Sequence, residues 1–450
     1  MSRASTRAAQ AALISGLVLT VASFGGTNGV SLAAVETLFF VVAAWIALQP
    51  SVRPGILRPR HFAVPSLLVA VALLQLCPLP AGLTRALRGA GASGDSHWGI
   101  LSIVPYQTRS ELLILLACSI AFILAVLSAS ERRRKLFLVR SIAVLGASEA
   151  CYGLIQYLTH WQMILWYPKR YDLEEATGTY VNRNHFAGLL EMILPFAVCL
   201  ALYEGEKVWS TRRRRDRRRL GSNWSNVVLW LAVAVVLAAA LVFSRSRMGM
   251  LAAAASLVVV VGLIALARRL APTAVAIVFL ILSFSFAAWI GVRPAFTRFE
   301  TVRQEFSGPE SRLSIWPGAA ALIRAHPFLG TGLGTFPVAY TPFQTTFLTE
   351  FVNHAHNDYL ETASDLGIPA AAVLFLSIGV VAASALRRFL VTASRFERYV
   401  SLACVGSIAA ILLHSLADFN LHIPANALML ATILGIAVAP VSGATAEVAA

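Results

Sequence analysis

The sequence predicts an all-α integral membrane protein of about twelve transmembrane helices with one large loop on the outer side. Three observations carry that prediction. The chain is 58% hydrophobic and 13% charged, with a mean hydropathy of +0.71, which excludes an ordinary soluble globule. Its apolar residues gather in runs, and a run of roughly 17–25 residues is what a hydrocarbon core of about 30 Å requires. Its positive charge alternates with those runs from one side to the other.

The runs lie at about 11–28, 30–48, 62–80, 110–130, 136–158, 184–203, 226–243, 248–267, 272–291, 366–386, 399–416 and 424–441. Gly25-Gly26 interrupts the first. Arg3 and Arg7 precede that run as they would in a signal peptide, but no small-residue cleavage site stands out and a dense set of spans follows, so it reads as a span. With the N-terminus inside, the inner segments hold Arg3 and Arg7, then Arg53, Arg58 and Arg60, then Arg132–Lys135. Further on they hold Lys207 with Arg212–Arg219, Arg268 and Arg269, and Arg387, Arg388, Arg395 and Arg398. These are most of the 37 Lys and Arg, and every inner loop is basic, as the positive-inside rule expects. Both termini are then cytoplasmic. The net charge of +15 reports orientation: Arg212–Arg219 reads as an anchor at anionic lipid, with no nucleic-acid partner. The chain divides into 1–291 (nine helices with short loops), 292–365 (the large outer loop) and 366–450 (three helices).

The first three spans carry almost nothing ionisable apart from Glu36 and read as scaffold. The outer loop 81–109, rich in Gly and Ser and holding His97 and Trp98, reads as an irregular cap. In the outer loop 159–183, Trp161, Trp166, Tyr167, Tyr171 and Tyr180 suit an interfacial aromatic belt, with stacking on sugar rings as the alternative. Asn184 and His185 close that loop, either as donors to a polar ligand or as helix caps. Glu149 and Glu191 lie inside spans, where an ionised carboxylate needs a partner or a water-filled cavity. The five cysteines fall in spans without motif spacing and read as small core hydrophobes.

Ser244-Arg245-Ser246-Arg247 joins two spans so tightly that both arginines must sit at the outer surface. One would be a snorkelling anchor. Two, among serines on the side where positive charge is scarce, suit an anion clamp, because the guanidinium fork matches phosphate oxygens.

The long loop carries Arg293, Arg298, Arg303, Arg312 and Arg324, then Gly330-Thr331-Gly332-Leu333-Gly334. No βαβ context surrounds the glycines, so they predict a turn needing positive φ and no nucleotide site. His354-Ala355-His356-Asn357-Asp358 follows, placing two imidazoles, an amide and a carboxylate together. As metal ligands the two histidines fall short of the set a zinc site needs. A buried structural pair is a second reading. The favoured one is a general base or substrate-positioning group, since imidazole titrates near neutrality. Neither metal nor cofactor is expected. The last outer turn adds His414, Asp418, Asn420 and His422, and every one of the nine histidines except His61 falls on the outer side. A transporter needs polar groups near the midplane with access from both sides. An enzyme acting on an outward-facing lipid-borne substrate needs them at one surface.

Four motifs in combination resemble the bacterial O-antigen ligase and polymerase superfamily. They are Ser246-Arg247-x-Gly249 opening a span, Arg312-Leu-x-x-Trp316, His326-Pro-x-x-Gly330-x-Gly332-x-Gly334-Thr-Phe336, and His356-Asn357-Asp358-Tyr359-Leu360-Glu361 followed by Leu366-Gly367. The resemblance covers roughly 180–370, with His414–Asn426 in support. It implies a GT-C-like helical bundle in the bacterial inner membrane. It also implies metal-independent transfer of a glycan from an undecaprenyl-diphosphate carrier to a glycan or lipid A-core acceptor at the periplasmic face. Carried across by motif, the catalytic residues are Arg247 and Arg312, binding diphosphate, and His356, assisting acceptor attack. Arg245 has no counterpart in the motif. The residues themselves add Arg245, Asn184, His185, His354, Asn357, Asp358, His414 and Asp418 as substrate-binding groups. Polymerisation of repeat units, glycan transfer to protein hydroxyls and, in another class, transport of an anion such as bicarbonate are the alternatives.

Overall fold

The structure is a computed structural model that describes residues 3–49, 56–88, 98–213, 220–267, 312–345 and 351–440. Helices dominate. The first group comprises α1 (Arg3–Ala22), α2 (Gly29–Ala47), α3 (Pro59–Leu76), α4 (Ala81–Arg88), α5 (Pro105–Ser128), α6 (Arg132–Thr159), α7 (Arg183–Arg213), α8 (Leu220–Phe243) and α9 (Arg247–Leu266). The second comprises α10 (Arg312–Ala325), α11 (Phe336–Ala339), α12 (Asp358–Leu366), α13 (Ile368–Val391), α14 (Arg395–His414) and α15 (Pro424–Val438). Among the described residues ten helices are long and apolar enough to cross a membrane, and α15 is a shorter apolar helix at the place of the last expected span. The expected ninth span at 272–291 lies outside the described residues, as do Arg293, Arg298 and Arg303.

Three expectations are corrected. The first helix starts at Arg3 and stops at Ala22, because Gly25 and Gly26 adopt φ of 71° and 84° in a turn. A Cβ at Gly25 would strike the Tyr180 ring, so the turn is glycine by contact as well as by φ. The loop 81–109 is not wholly irregular: it holds α4, and its Trp98-Gly99 forms a short antiparallel ladder with Leu79-Pro80 just before it. The cysteines also divide, with Cys199 and Cys404 buried while Cys77 and Cys151 are exposed.

α7 is the axis of the bundle. Its residues from Phe186 to Cys199 are all buried, and it packs on α6, α8, α9 and α14. Pro195 interrupts its hydrogen bonding, and the Ser407 hydroxyl from α14 donates to the Met192 carbonyl at 2.5 Å. At one end of the bundle a buried ion pair, Lys135 Nζ to Glu397 Oε2 at 2.8 Å, ties α6 to α14. Breaking such a pair by removing one partner leaves a buried charge and costs about 3–5 kcal/mol.

At the other end, α10, α11 and α12 form a small satellite with its own core of Ile315, Leu322, Phe336, Tyr340 and Ala355. The glycine string fastens it. Gly330, Gly332 and Gly334 have φ of 62°, 118° and 74°, which turns the Gly334 and Phe336 amides onto the two oxygens of Asp365 at 2.6 and 3.1 Å. Gln75, at the end of α3, donates to the carbonyls of Leu329 and Asp365 and accepts from the Leu333 amide. The turn expected from the glycines is present, and its anion is the chain's own Asp365.

Candidate active site

The polar residues of the long loop, of the α14–α15 turn and of the start of α7 meet at this end around two buried carboxylates, Asp358 and Asp418. Asn357 caps α12, its side-chain oxygen accepting from the Tyr359 and Leu360 amides while its Nδ2 donates to the Leu416 carbonyl. That cap fixes Asp358 as the first helical residue, pointing into the α14–α15 turn. Asp358 receives the Ser415 hydroxyl at 2.7 Å, the Leu421 amide at 3.1 Å and His422 Nδ1 at 3.0 Å.

His422 also lies 3.6 Å from Glu361. Burial alone would lower the His422 pKa, but Glu361 and Asp358 outweigh it and raise it to about 10. It is a fixed imidazolium. Burial raises Glu361, yet His422 and His354 bring it below the usual carboxylate range. Glu361 binds His354 Nδ1 at 2.7 Å and the Ala355 amide at 2.8 Å, and the His354 ring stacks on Phe419 at 3.8 Å.

Around Asp418 the contacts are longer. Arg312, the first residue of α10, donates through Nη1 to the Ala417 carbonyl at 2.6 Å and to Asp418 Oδ2 at 3.3 Å, and 40% of its side chain stays exposed. His356 Nδ1 lies 3.6 Å and His185 Nε2 3.7 Å from Asp418 Oδ1, both beyond a hydrogen bond. Burial raises Asp418, but Arg312 and the imidazoles of His185 and His356 hold it well below the usual carboxylate range. His356 has φ of 49°, a left-handed conformation that a non-glycine residue keeps only when its surroundings impose it. Its ring meets Phe419 edge-on at 5.0 Å and is 29% exposed, while Nδ1 is buried. Behind the turn, His414 Nδ1 meets Glu191 at 2.9 Å, both side chains fully buried.

The residues singled out in the sequence thus separate. Arg312, His356, His185 and Asp418 converge directly. His354, Asn357, Asp358 and His414 are engaged in the frame around them. Asn184, half-buried, sits beside His185 on the first turn of α7. Arg247 opens α9, where Ser246 caps the helix through the Gly249 amide and a Cβ at Gly249 would strike Ala187, two residues from His185. Arg245 is at hydrogen-bonding distance from Glu174, 3.2 Å, and 3.7 Å from Glu175, so its charge faces the 159–182 loop. Of the two glutamates weighed, Glu191 joins the frame through His414, whereas Glu149 accepts the Thr179 hydroxyl at 2.9 Å and anchors a loop. Glu361 and His422 were visible in the motifs but not assigned. Glu111 of α5, packed where a Cβ on Gly334 would reach, carried no signal beyond being a lone carboxylate at the head of an apolar run.

The apolar helices with chemistry gathered at one end define a multi-pass membrane protein. Residues 232–375 match the family model described as O-antigen ligase, which bears out the resemblance to the O-antigen ligase and polymerase superfamily. That family implies a glycosyltransferase-like ligase or polymerase working on lipid-linked glycans in a membrane. The matched stretch holds Arg245, Arg247, Arg312, His354, His356, Asn357 and Asp358, while His185, His414 and Asp418 lie outside it. No curated protein matches the chain.

Proposed function

We propose that the protein transfers a glycan from an undecaprenyl-diphosphate carrier to an acceptor hydroxyl at the periplasmic face of a bacterial inner membrane. The observation that carries this reading is the sharing of Asp418 by Arg312 and His356. One buried carboxylate holds a guanidinium and an imidazole side by side, and both remain partly exposed. The basic inner loops of the sequence support the outward orientation.

In this mechanism His356 turns Nδ1 toward Asp418 and presents Nε2 to the acceptor. Nε2 takes the hydroxyl proton as the acceptor oxygen bonds to the anomeric carbon, and the bond from that carbon to the diphosphate oxygen breaks. Negative charge grows on the departing diphosphate. Arg312, with Arg247 as a second guanidinium, stabilises it without reorganisation, since Nη1 is already fixed to the Ala417 carbonyl. The 3.6 Å gap between His356 and Asp418 closes as the imidazole gains charge, because catalytic contacts are commonly long before substrate binds. The energy resides in the carrier linkage, so the scheme calls for no nucleotide.

Deleting the gene and analysing lipid-linked and surface glycans tests the assignment. Full-length polymer accumulating on the carrier identifies a ligase, joining glycan to lipid A-core. Single repeat units on the carrier with no polymer identify a polymerase. An unchanged glycan profile overturns the reading.

A further inference from the structure

A cavity of 420 Å³ lies between α3, α5, α13 and α15, at the end of the bundle opposite the active site. The chain places it there. α3 begins at the cavity with Arg60 and His61 and ends at Gln75, which binds the glycine string, about 22 Å further along at 1.5 Å per residue. α3 meets the end of α12 and the start of α13 near the active-site end through Leu68, Leu366 and Ala370, and the cavity opens beyond that contact. Its size falls within the range of roughly 300–1,000 Å³ usual for small-ligand pockets. Its mouth is on the outer face of the bundle, where Val380 is 69% exposed.

The lining is polarised. Leu68, Leu115 and Leu374 form the inner wall, and the far end carries Arg60, Arg388 and His61. No acidic residue is among the described lining. Arg388 donates to the Ala439 carbonyl at 3.1 Å and lies 3.8 Å from Glu397, whose closer partner is Lys135 at 2.8 Å. His61 gives the sharpest signal. Its Nδ1 accepts the Arg58 amide at 3.2 Å, so the neutral ring carries its proton on Nε2. That Nε2–H is a donor on a side chain 4% exposed, and it has no hydrogen-bond partner among the described residues. A buried donor is rarely left unmatched.

We propose that this cavity binds one anionic glycerophospholipid of the leaflet opposite the active site. Its phosphate is met by Arg60, Arg388 and His61 Nε2, and an acyl chain runs along Leu68, Leu115 and Leu374. Three donors on a lining without an acid, with Glu397 behind Arg388 drawn to Lys135, match a phosphate, the apolar wall matches a chain, and the lateral mouth admits a lipid from the bilayer. The site rests on membrane insertion alone, so its failure leaves the glycan-transfer reading untouched.

The test is native mass spectrometry of the full chain, delipidated in detergent and offered phosphatidylglycerol, phosphatidylcholine and undecaprenyl phosphate in equal amounts. The wild type should retain a single phosphatidylglycerol, with about tenfold preference over phosphatidylcholine. Arg60→Gln, at an exposed position, should weaken that retention about fivefold, as expected for one basic residue at a lipid phosphate. Ser384→Phe, also exposed and on the cavity lining, should block it independently. Equal retention of phosphatidylcholine, preference for undecaprenyl phosphate, or unchanged retention in both variants overturns the proposal.

Discussion

Asp358 and Asp418 are both fully buried, both on the same assembly of cap and turn, and they are used in opposite ways. Asp358 has hydroxyl, amide and imidazole partners within 2.7 to 3.1 Å. Asp418 has one close amide, from Phe419 at 2.9 Å, while its side-chain partners stand at 3.3, 3.6 and 3.7 Å. The two histidines of His-x-His divide along the same line. His354 is pinned to Glu361 at 2.7 Å and flat against Phe419, whereas His356 is held edge-on with slack toward Asp418. A network already satisfied can only hold shape. One with long contacts, partial exposure and a left-handed residue has room to respond to a substrate.

That contrast sorts the expected effects of substitution. His356→Ala should reduce glycan transfer about 10²–10⁴-fold, the range of a lost general base, with carrier binding and folding retained. Turnover near wild type in this variant would remove the difference between the two carboxylate networks. Arg312→Lys should lose about 10²-fold in transfer rate despite keeping its charge, because an ammonium does not reproduce the fork. Steady-state rates on a carrier-linked donor measure both. His354→Gln should do the reverse, lowering stability by roughly 1–3 kcal/mol through the lost bond to the buried Glu361 while leaving transfer within about tenfold. A thermal melt beside the transfer assay separates the two outcomes.

The smallest effect is in pH. His422 is raised to about 10 in the fold against an ordinary value near 6.5. A raised histidine pKa stabilises the fold through the protonated form. The contribution is complete below pH about 6.5 and is lost as pH climbs through about 10. Melting temperature in detergent should therefore fall across that window, and His422→Gln should flatten the fall. An unchanged slope in the variant would take His422 out of the frame.

The architecture was legible because bilayer thickness writes itself into run length: eleven of the twelve runs coincide with described helices, and the start of α9 at Arg247 was marked by Ser246. The glycine string was legible as a turn, since positive φ leaves few other choices. What the motif could not display was the division of labour within His-x-His, because Glu361 and Asp418 decide it and Asp418 lies far along the chain. Arg245 illustrates the same limit. Its spacing from Arg247 suggested a clamp, and the contact with Glu174 depends on a loop whose course no local pattern encodes. Glu191 needed its partner His414, more than two hundred residues away, before its burial made sense.

The most direct test of glycan transfer through Arg312 and His356 is a reconstituted reaction of the full chain with undecaprenyl-diphosphate-linked glycan and acceptor, following released undecaprenyl diphosphate. The wild type should release one carrier diphosphate for each glycan transferred, and His356→Ala should still bind the donor without releasing it. Release by His356→Ala at the wild-type rate, or no release by the wild type with any acceptor, would contradict the account.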